Sequence, residues 1–178
     1  MSAPPFFVIT GGPGTGKSTL IAELARRGLS VSDEVARIII REQMATAGTA
    51  LPWVDHQAFA ALMLDRELEA YHAAHGQPTW FDRGFPDIAG FLALSGLSVP
   101  ARLDEACREL RYRSPVFIAP PWAAIFVQDA ERRQDFAEAE RTHHAMIEAW
   151  RRYGYELVEL PRVSVAARAD FLIERAAL

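Results

Sequence analysis

Cysteine is nearly missing from the sequence. Cys107 is the only one in 178 residues, so the chain cannot close an internal disulfide or bind zinc through several of its own thiolates. The first residues also lack the basic segment and long apolar stretch of a secretory signal. We therefore expect a cytoplasmic protein.

Long apolar runs and an excess of positive charge are missing as well. No run is long enough to cross a bilayer, and a formal net charge of -4 gives no general attraction to nucleic acid or anionic lipid. We expect neither nucleic acid nor membrane among the partners. Apolar residues make up 50% and charged residues 24% of the chain, which is typical of a globular protein. The length suits a single domain over residues 1–178.

Lysine is also rare in the sequence, and the position of the single lysine is informative. Among 19 basic residues only Lys17 is a lysine, and it stands in residues 11–18, which match the P-loop pattern G-x-x-x-x-G-K-S/T. The glycines let backbone N–H groups converge on phosphate oxygens, Lys17 supplies a charge to the outer phosphates, and the Ser18 hydroxyl binds Mg²⁺. The predicted nucleotide-binding residues are Gly12, Pro13, Gly14, Thr15, Gly16, Lys17, Ser18 and Thr19.

The nucleotide is expected to be ATP with Mg²⁺. GTPase switches read guanine with an Asn/Thr-Lys-x-Asp loop, and a chain whose only lysine is Lys17 cannot contain one. Kinases read bases with less regular loops, for which residues 160–163 are the candidate here.

Short runs of β-forming residues alternate with stretches of helical periodicity. The predicted strands are residues 6–10, 29–33, 79–82, 115–119 and 155–160. The predicted helices are residues 18–25, 35–47, 55–74, 88–94, 101–110, 131–153 and 165–177. In the third of them the i, i+3, i+4 spacing places five residues on one face, namely Phe59, Leu62, Met63, Arg66 and Tyr71. This alternation predicts a three-layer α/β fold of the P-loop NTPase class, with a five-stranded, mainly parallel sheet and helices on both faces. Ligands of such sheets bind beyond the carboxyl ends of the strands.

Two acidic segments follow predicted strands. Asp82, at the end of strand three, can hold Mg²⁺ through water, and Arg83 beside it can reach an anionic group. The alternative is an Asp that caps the next turn and a surface Arg. Glu34, after strand two, can accept the proton of a substrate hydroxyl, with Asp33 as the second choice. The alternative for Glu34 is a charge that stabilises the start of a helix.

A lid is predicted at about residues 120–140. Arg132 and its neighbour Arg133 can close over the transferring phosphate and stabilise its charge. An ordinary solvated helix start is the alternative. The predicted catalytic residues are thus Lys17, Glu34, Asp82, Arg83 and Arg132, and the predicted metal ligands are Ser18 and Asp82.

Several segments together resemble one family. They are residues 34–37, residues 81–84 with Asp87, residues 116–117 leading to 120–122, Asp129 with Arg132, and residues 154–155 leading to 160–161. With the P-loop they resemble the small P-loop ATPase and kinase domains of the NadR-like group, a branch of the AAA-type ATPases, over nearly the whole chain. AAA+ motors also have a second helical domain and an Asp-Glu pair in the Walker B strand, and this sequence shows neither.

The layout is also similar to that of deoxyribonucleoside kinases, which place a Glu base after strand two, an acidic residue with Arg after strand three, and lid arginines later. The resemblance implies a sheet in the order 2-3-1-4-5 and transfer of a γ-phosphoryl group to a small hydroxyl-bearing metabolite. The acceptor is not implied, because Asp82 replaces the Glu of that family and no set of nucleoside-reading residues stands out. The oligomeric state is not predicted either.

Two other functions compete with a metabolite kinase. A regulatory ATPase or GTPase switch would bind nucleotide and hydrolyse it slowly without an acceptor. An enzyme acting on nucleic acid is disfavoured by the negative net charge and by the lack of an aromatic and basic stripe.

Overall fold

The computed structural model describes residues 4–126 and 135–177. The strands are β1 (Phe6–Gly11), β2 (Ser30–Ser32), β3 (Thr79–Asp82), β4 (Val116–Ala119) and β5 (Leu157–Glu159). The helices are α1 (Lys17–Arg26), α2 (Val35–Ala45), α3 (His56–Ala73), α4 (Phe85–Leu94), α5 (Ala101–Glu109), α6 (Phe136–Arg152) and α7 (Val165–Ala176). A short 3₁₀ turn, Ala123–Ile125, follows β4.

The five strands form one parallel sheet in the order β2-β3-β1-β4-β5, which confirms the predicted order. Ile9 of β1 is in register with Asp82 of β3 on one side and with Phe117 of β4 on the other. The carboxyl ends of these strands therefore meet at one edge of the sheet, and the P-loop leaves from the central strand.

Alternate residues of β1 enter two separate cores, as expected for a strand with period 2. Phe6 and Val8 face the core under α2, α3, α4, α5 and α6. Phe7 and Ile9 face the core under α1 and α7. The three-layer architecture is thereby confirmed. No helix in the described ranges has both the length and the apolar character needed to cross a membrane.

Several boundaries differ from the prediction for local reasons. Helix α4 begins at Phe85 rather than at residue 88, because Pro86 fits a first helical turn and the Asp87 carboxylate accepts the N–H of Gly84 at 3.0 Å. Helix α6 begins at Phe136, where Asp135 accepts the N–H of Glu138 at 2.7 Å and caps it. The predicted start at residue 131 lies outside the described residues.

The buried stripe of α3 differs from the prediction at one charged position. Periodicity placed Arg66 in the stripe, but Arg66 lies at the surface and pairs with Glu42 at 2.9 Å. The buried residues of the helix are Phe59, Ala60, Met63, Leu64 and Glu67, and Glu67 is only 2% exposed. A carboxylate thus occupies an interior position of this helix.

Gly84 offers a test of how tightly the start of α4 is packed. A Cβ atom on Gly84 would lie 2.8 Å from Cε2 of Tyr112 and 3.1 Å from Cη2 of Trp150, and both rings are buried. We expect Gly84→Ala to lower the free energy of unfolding by about 1–3 kcal/mol, because a filled core resists added volume. Urea unfolding measures the change.

Gly90→Ala, in the same helix, is the matched control. Its Cβ would meet the flexible end of Met146, with Cε at 2.7 Å, and alanine favours a helix interior over glycine by about 1 kcal/mol. The Gly90 variant should therefore unfold close to the wild type. Equal losses in the two variants would contradict the tight packing proposed at Gly84.

Candidate active site

The P-loop adopts a backbone conformation that requires glycine. Gly14 has φ 67° and Gly16 has φ 82°, both in the left-handed region that glycine enters without a steric penalty. Gly16 caps α1, so Lys17 is the first helical residue. The Lys17 ammonium group lies over the loop and donates to the carbonyl of Gly12 at 2.6 Å and to Oγ1 of Thr15 at 3.2 Å.

The loop is packed from two sides. A Cβ atom on Gly12 would lie 2.6 Å from the carbonyl oxygen of Ala139 in α6, and one on Gly14 would lie 2.6 Å from the ring of Phe126. Glycines at these positions therefore let neighbouring groups approach the P-loop closely. Ser18 and Thr19 remain exposed at the start of α1, where a helix N-terminus favours phosphate.

Arg168 of α7 packs against the P-loop and donates a hydrogen bond to its backbone. Its Nη1 donates to the carbonyl of Thr15 at 2.9 Å, its Nε donates to the carbonyl of Pro161 at 2.8 Å, and its guanidinium stacks 5.0 Å over the ring of Trp122. Burial lowers the pKa of Arg168, and Arg162 adds to this effect. Sequence reasoning missed this residue, although an arginine four positions before Leu172 in the apolar stripe of α7 was a signal.

Ser18 and Asp82 line one cleft of about 310 Å³, together with Asp33, Glu34 and Arg37. Asp82 is only 4% exposed at the end of β3. Within the described residues no three His, Cys, Asp or Glu side chains gather as a metal site. One hydroxyl and one carboxylate fit the way Mg²⁺ is usually held in phosphoryl-transfer sites, with phosphates and water as the remaining ligands.

Arg83 adopts an unusual backbone conformation. Its φ is 79°, a strained value for a residue other than glycine, and such strain concentrates at functional sites. The side chain is held by Oε1 of Glu34 at 3.1 Å, the carbonyl of Gly11 at 2.9 Å and Oδ1 of Asp87 at 3.5 Å. Burial by itself would lower the pKa of Arg83, but Glu34, Asp87 and Asp82 outweigh it, so the pKa is raised and the guanidinium stays charged.

Glu34 stands at the cap position of α2 but does not cap it. Its side chain makes no capping hydrogen bond and instead pairs with Arg83 at 3.1 Å and Arg37 at 3.7 Å. It is 9% exposed, whereas Asp33 is exposed. Of the two adjacent carboxylates, Glu34 is thus the one held inside the site.

Asp87 joins three elements around the site. Its carboxylate accepts hydrogen bonds from the hydroxyl of Thr10 in β1, from the N–H of Gly84 at 3.0 Å and from the indole N–H of Trp150 in α6 at 3.1 Å. Burial raises the pKa of the Asp87 carboxyl, while Arg83 and these donors oppose the rise.

A cavity of about 420 Å³ opens between α2, α3, α4 and α6. Its volume lies within the range of small-molecule sites. Most of its wall is apolar, and its polar residues include Glu34, Arg83, Asp87 and Glu67. We call it the acceptor cavity, after the role that we propose for it.

Glu67 was missed by sequence reasoning. Oε1 of Glu67 accepts the hydroxyl proton of Tyr112 at 2.7 Å. Burial raises the pKa of Glu67 to about 8, opposed by this hydrogen bond and reinforced by Asp87 and Asp82. The available signal was the position of Glu67, four residues after Met63 and eight after Phe59.

The structure brings together the P-loop, Glu34, Asp82 and Arg83 around the cleft and the acceptor cavity. The predicted lid arginine, Arg132, lies outside the described residues, as does Arg133. Phe126 and Phe136, on either side of that segment, pack edge to face with ring centroids 5.5 Å apart.

The fold is similar to that of several solved structures. NadR in complex with NR superimposes with a TM-score of 0.72 at 16% identity, covering 97% of this chain and 52% of that one. Deoxyadenosine kinase from M. mycoides gives 0.66 at 15% identity, covering 97% of this chain and 98% of that one. Thymidylate kinase from Ehrlichia chaffeensis gives 0.63 at 11% identity, covering 96% and 97%.

At these identities the likeness concerns the fold alone, and the chain spans about half the length of the NadR chain. No curated protein sequence matches the chain. A family model described as an AAA domain matches residues 6–168, which include the P-loop, Glu34, Asp82 and Arg83. The chain belongs to this AAA-domain family, and its P-loop fold is the kinase-like one shared with NadR and with the deoxyadenosine and thymidylate kinases.

Proposed function

We propose that the protein transfers the γ-phosphoryl group of ATP to a hydroxyl group of a small molecule bound in the acceptor cavity. One observation carries this proposal: Glu34 lines both the acceptor cavity and the cleft that contains Ser18 and Asp82. A hydroxyl in the cavity and a phosphate at the P-loop would therefore meet at this carboxylate.

The transfer is an in-line displacement. The acceptor oxygen forms a bond to the γ-phosphorus, the bond from that phosphorus to the β,γ-bridging oxygen breaks, and ADP leaves with the electron pair. Glu34 orients the attacking hydroxyl and receives its proton. Lys17 and the amides of the P-loop hold the phosphates in place.

Arg83 is placed to stabilise charge on the transferring group. It remains protonated, and its backbone is fixed at the end of β3 by a hydrogen bond from its N–H to the carbonyl of Ile9 at 3.0 Å. Mg²⁺ bound through Ser18 and Asp82 would neutralise charge on the phosphate oxygens. We assign the same task to Arg132, in the lid predicted at about residues 120–140, although its position lies outside the described residues.

The alternative is a regulatory ATPase or GTPase that hydrolyses nucleotide without an acceptor. The acceptor cavity favours the kinase, because a nucleotide switch needs no second ligand site next to its catalytic carboxylate. The kinase is also favoured by structural neighbours named as deoxyadenosine kinase and thymidylate kinase, which makes nucleosides sensible first acceptors to test.

The role of Glu34 as general base can be tested by comparing substitutions of Glu34 and of its neighbour Asp33. We expect Glu34→Gln to lower kcat for acceptor phosphorylation by about 10²–10⁴-fold, the usual contribution of a general base, with little change in the KM for ATP. Asp33→Asn, which alters the exposed neighbour, should stay within a few fold of the wild type. ADP release from Mg·ATP with a panel of hydroxyl compounds measures both.

Two results would contradict the proposed function. One is ADP release that no acceptor accelerates, which is the behaviour expected of a switch. The other is an unchanged kcat in Glu34→Gln, which would leave Glu34 as a partner of Arg83 and Arg37 only.

Asp82 is tested through the metal requirement. Asp82→Asn removes a carboxylate charge with little change in size, and we expect it to raise the Mg²⁺ concentration for half-maximal activity by about 10- to 100-fold, the usual cost of losing a group that orients metal-bound water. Asp33 lines the same cleft, so Asp33→Asn serves as the control. A Mg²⁺ titration with equal shifts in both variants would argue against a metal role for Asp82.

A further inference from the structure

The burial of the Glu67 carboxylate is energetically unfavourable. Glu67 is 2% exposed on the inner face of α3, and burying a carboxylate is unfavourable unless hydrogen-bond donors surround it. Tyr112 donates to Oε1 at 2.7 Å, and no other described residue donates a hydrogen bond to Glu67. Its second oxygen, Oε2, is thus left for a ligand of the acceptor cavity that Glu67 lines.

The charges around Glu67 limit what that ligand can be. The described residues that line the cavity include four acids, Glu34, Glu67, Asp87 and Glu138, and one basic residue, Arg83. Arg83 already contacts Glu34, Asp87 and the carbonyl of Gly11. Even with the Glu67 carboxyl protonated in the empty cavity, the other three acids outnumber Arg83. A lining with this excess of acid repels an anion and favours a neutral or cationic ligand.

The cavity wall indicates the shape of the ligand. It includes the rings of Trp53, Phe59 and Phe91 and the thioethers of Met63 and Met146. Phe91 packs edge to face on Phe59 at 5.5 Å and stacks with His56 at 5.7 Å. Aromatic and sulfur-containing side chains around a small cavity favour a flat ring over a flexible polar chain.

We infer that Glu67 determines acceptor specificity by accepting a hydrogen bond from an N–H group on a ring-bearing acceptor, while the acidic lining excludes acceptors that carry a phosphate. The inference takes the cavity as the acceptor site and so rests on the proposed function. It concerns binding, which can be measured without turnover.

The raised pKa of Glu67 makes this role pH-dependent, because below that pKa the carboxyl is mainly protonated and an N–H donor must compete with the proton. In the empty cavity, burial and the nearby Asp87 and Asp82 raise the pKa of the carboxyl to about 8. An N–H donor placed against Oε2 stabilises the ionised carboxylate, as any hydrogen bond to a charged form does. A phosphate in the same cavity would act in the opposite direction.

Calorimetric titration of the protein with matched nucleosides tests the inference. The pairs are adenosine with purine riboside and cytidine with pyrimidin-2-one riboside, and within each pair only the ring amino group differs. At about pH 9, where Glu67 is ionised, the amino compound of at least one pair should bind about 10- to 100-fold more tightly, the usual worth of a hydrogen bond to a charged group. Adenosine and cytidine should also bind more tightly than their 5′-monophosphates.

Glu67→Gln should remove the amino preference. Its amide oxygen can keep the bond from Tyr112, and its NH₂ group then faces the cavity as a donor. Glu69→Gln, an exposed position on the same helix, should keep the preference. Thermal unfolding of both variants shows that a lost preference does not reflect a lost fold.

The possible outcomes separate the two proposals. The inference is overturned if none of the four nucleosides binds, if no pair shows the preference, if the preference survives in Glu67→Gln, or if the monophosphates bind as well as the nucleosides. Phosphoryl transfer is assayed on the same compounds. Selective binding without transfer would overturn the kinase and leave Glu67 as a determinant of ligand binding alone, whereas transfer without the preference would overturn only the inference.

Discussion

The buried carboxylate of Asp87 is the constraint on which the site depends. A carboxylate is tolerated in an interior only when donors surround it, and here the donors come from Thr10 in β1, Gly84 before α4 and Trp150 in α6. These hydrogen bonds fix the start of α4 against the central strand. Because Arg83 immediately precedes that start and also reaches Asp87, its guanidinium is held beside Glu34 and the P-loop.

The site consists of a cleft and a cavity that lie side by side and share Glu34 as a lining residue. The cleft beside α1 offers a hydroxyl and a carboxylate from Ser18 and Asp82, while the cavity under α3 and α4 is mainly apolar and aromatic. Glu34 lines both, and the strained backbone of Arg83 keeps a cation next to it. In the function that we propose, the cleft would bind the phosphate donor and the cavity would bind an uncharged, ring-bearing acceptor.

The alternation of strands and helices predicted the parallel sheet and the two helical layers, and the glycines with the lysine and serine that follow them predicted the P-loop. The sheet order was implied only by the resemblance to deoxyribonucleoside kinases. The sequence patterns did not predict which charged residues are buried among the apolar residues of a helix. Arg66 was placed inside α3 and Glu67 was overlooked, because periodicity alone cannot decide which of two adjacent charged residues finds a buried partner such as Tyr112. Arg168 was missed for the same reason, since its partners are the backbone carbonyls of Pro161 and Thr15, which lie outside its own helix.

A crystal structure of the protein with AMP-PNP, Mg²⁺ and an acceptor selected by turnover would test most directly whether donor and acceptor meet at Glu34. The account predicts the acceptor hydroxyl in the cavity, within about 3 Å of the Glu34 carboxylate and about 3–3.5 Å from the γ-phosphorus, with Lys17 on the phosphates. An acceptor bound outside the cavity, or a γ-phosphate out of reach of Glu34, would contradict it.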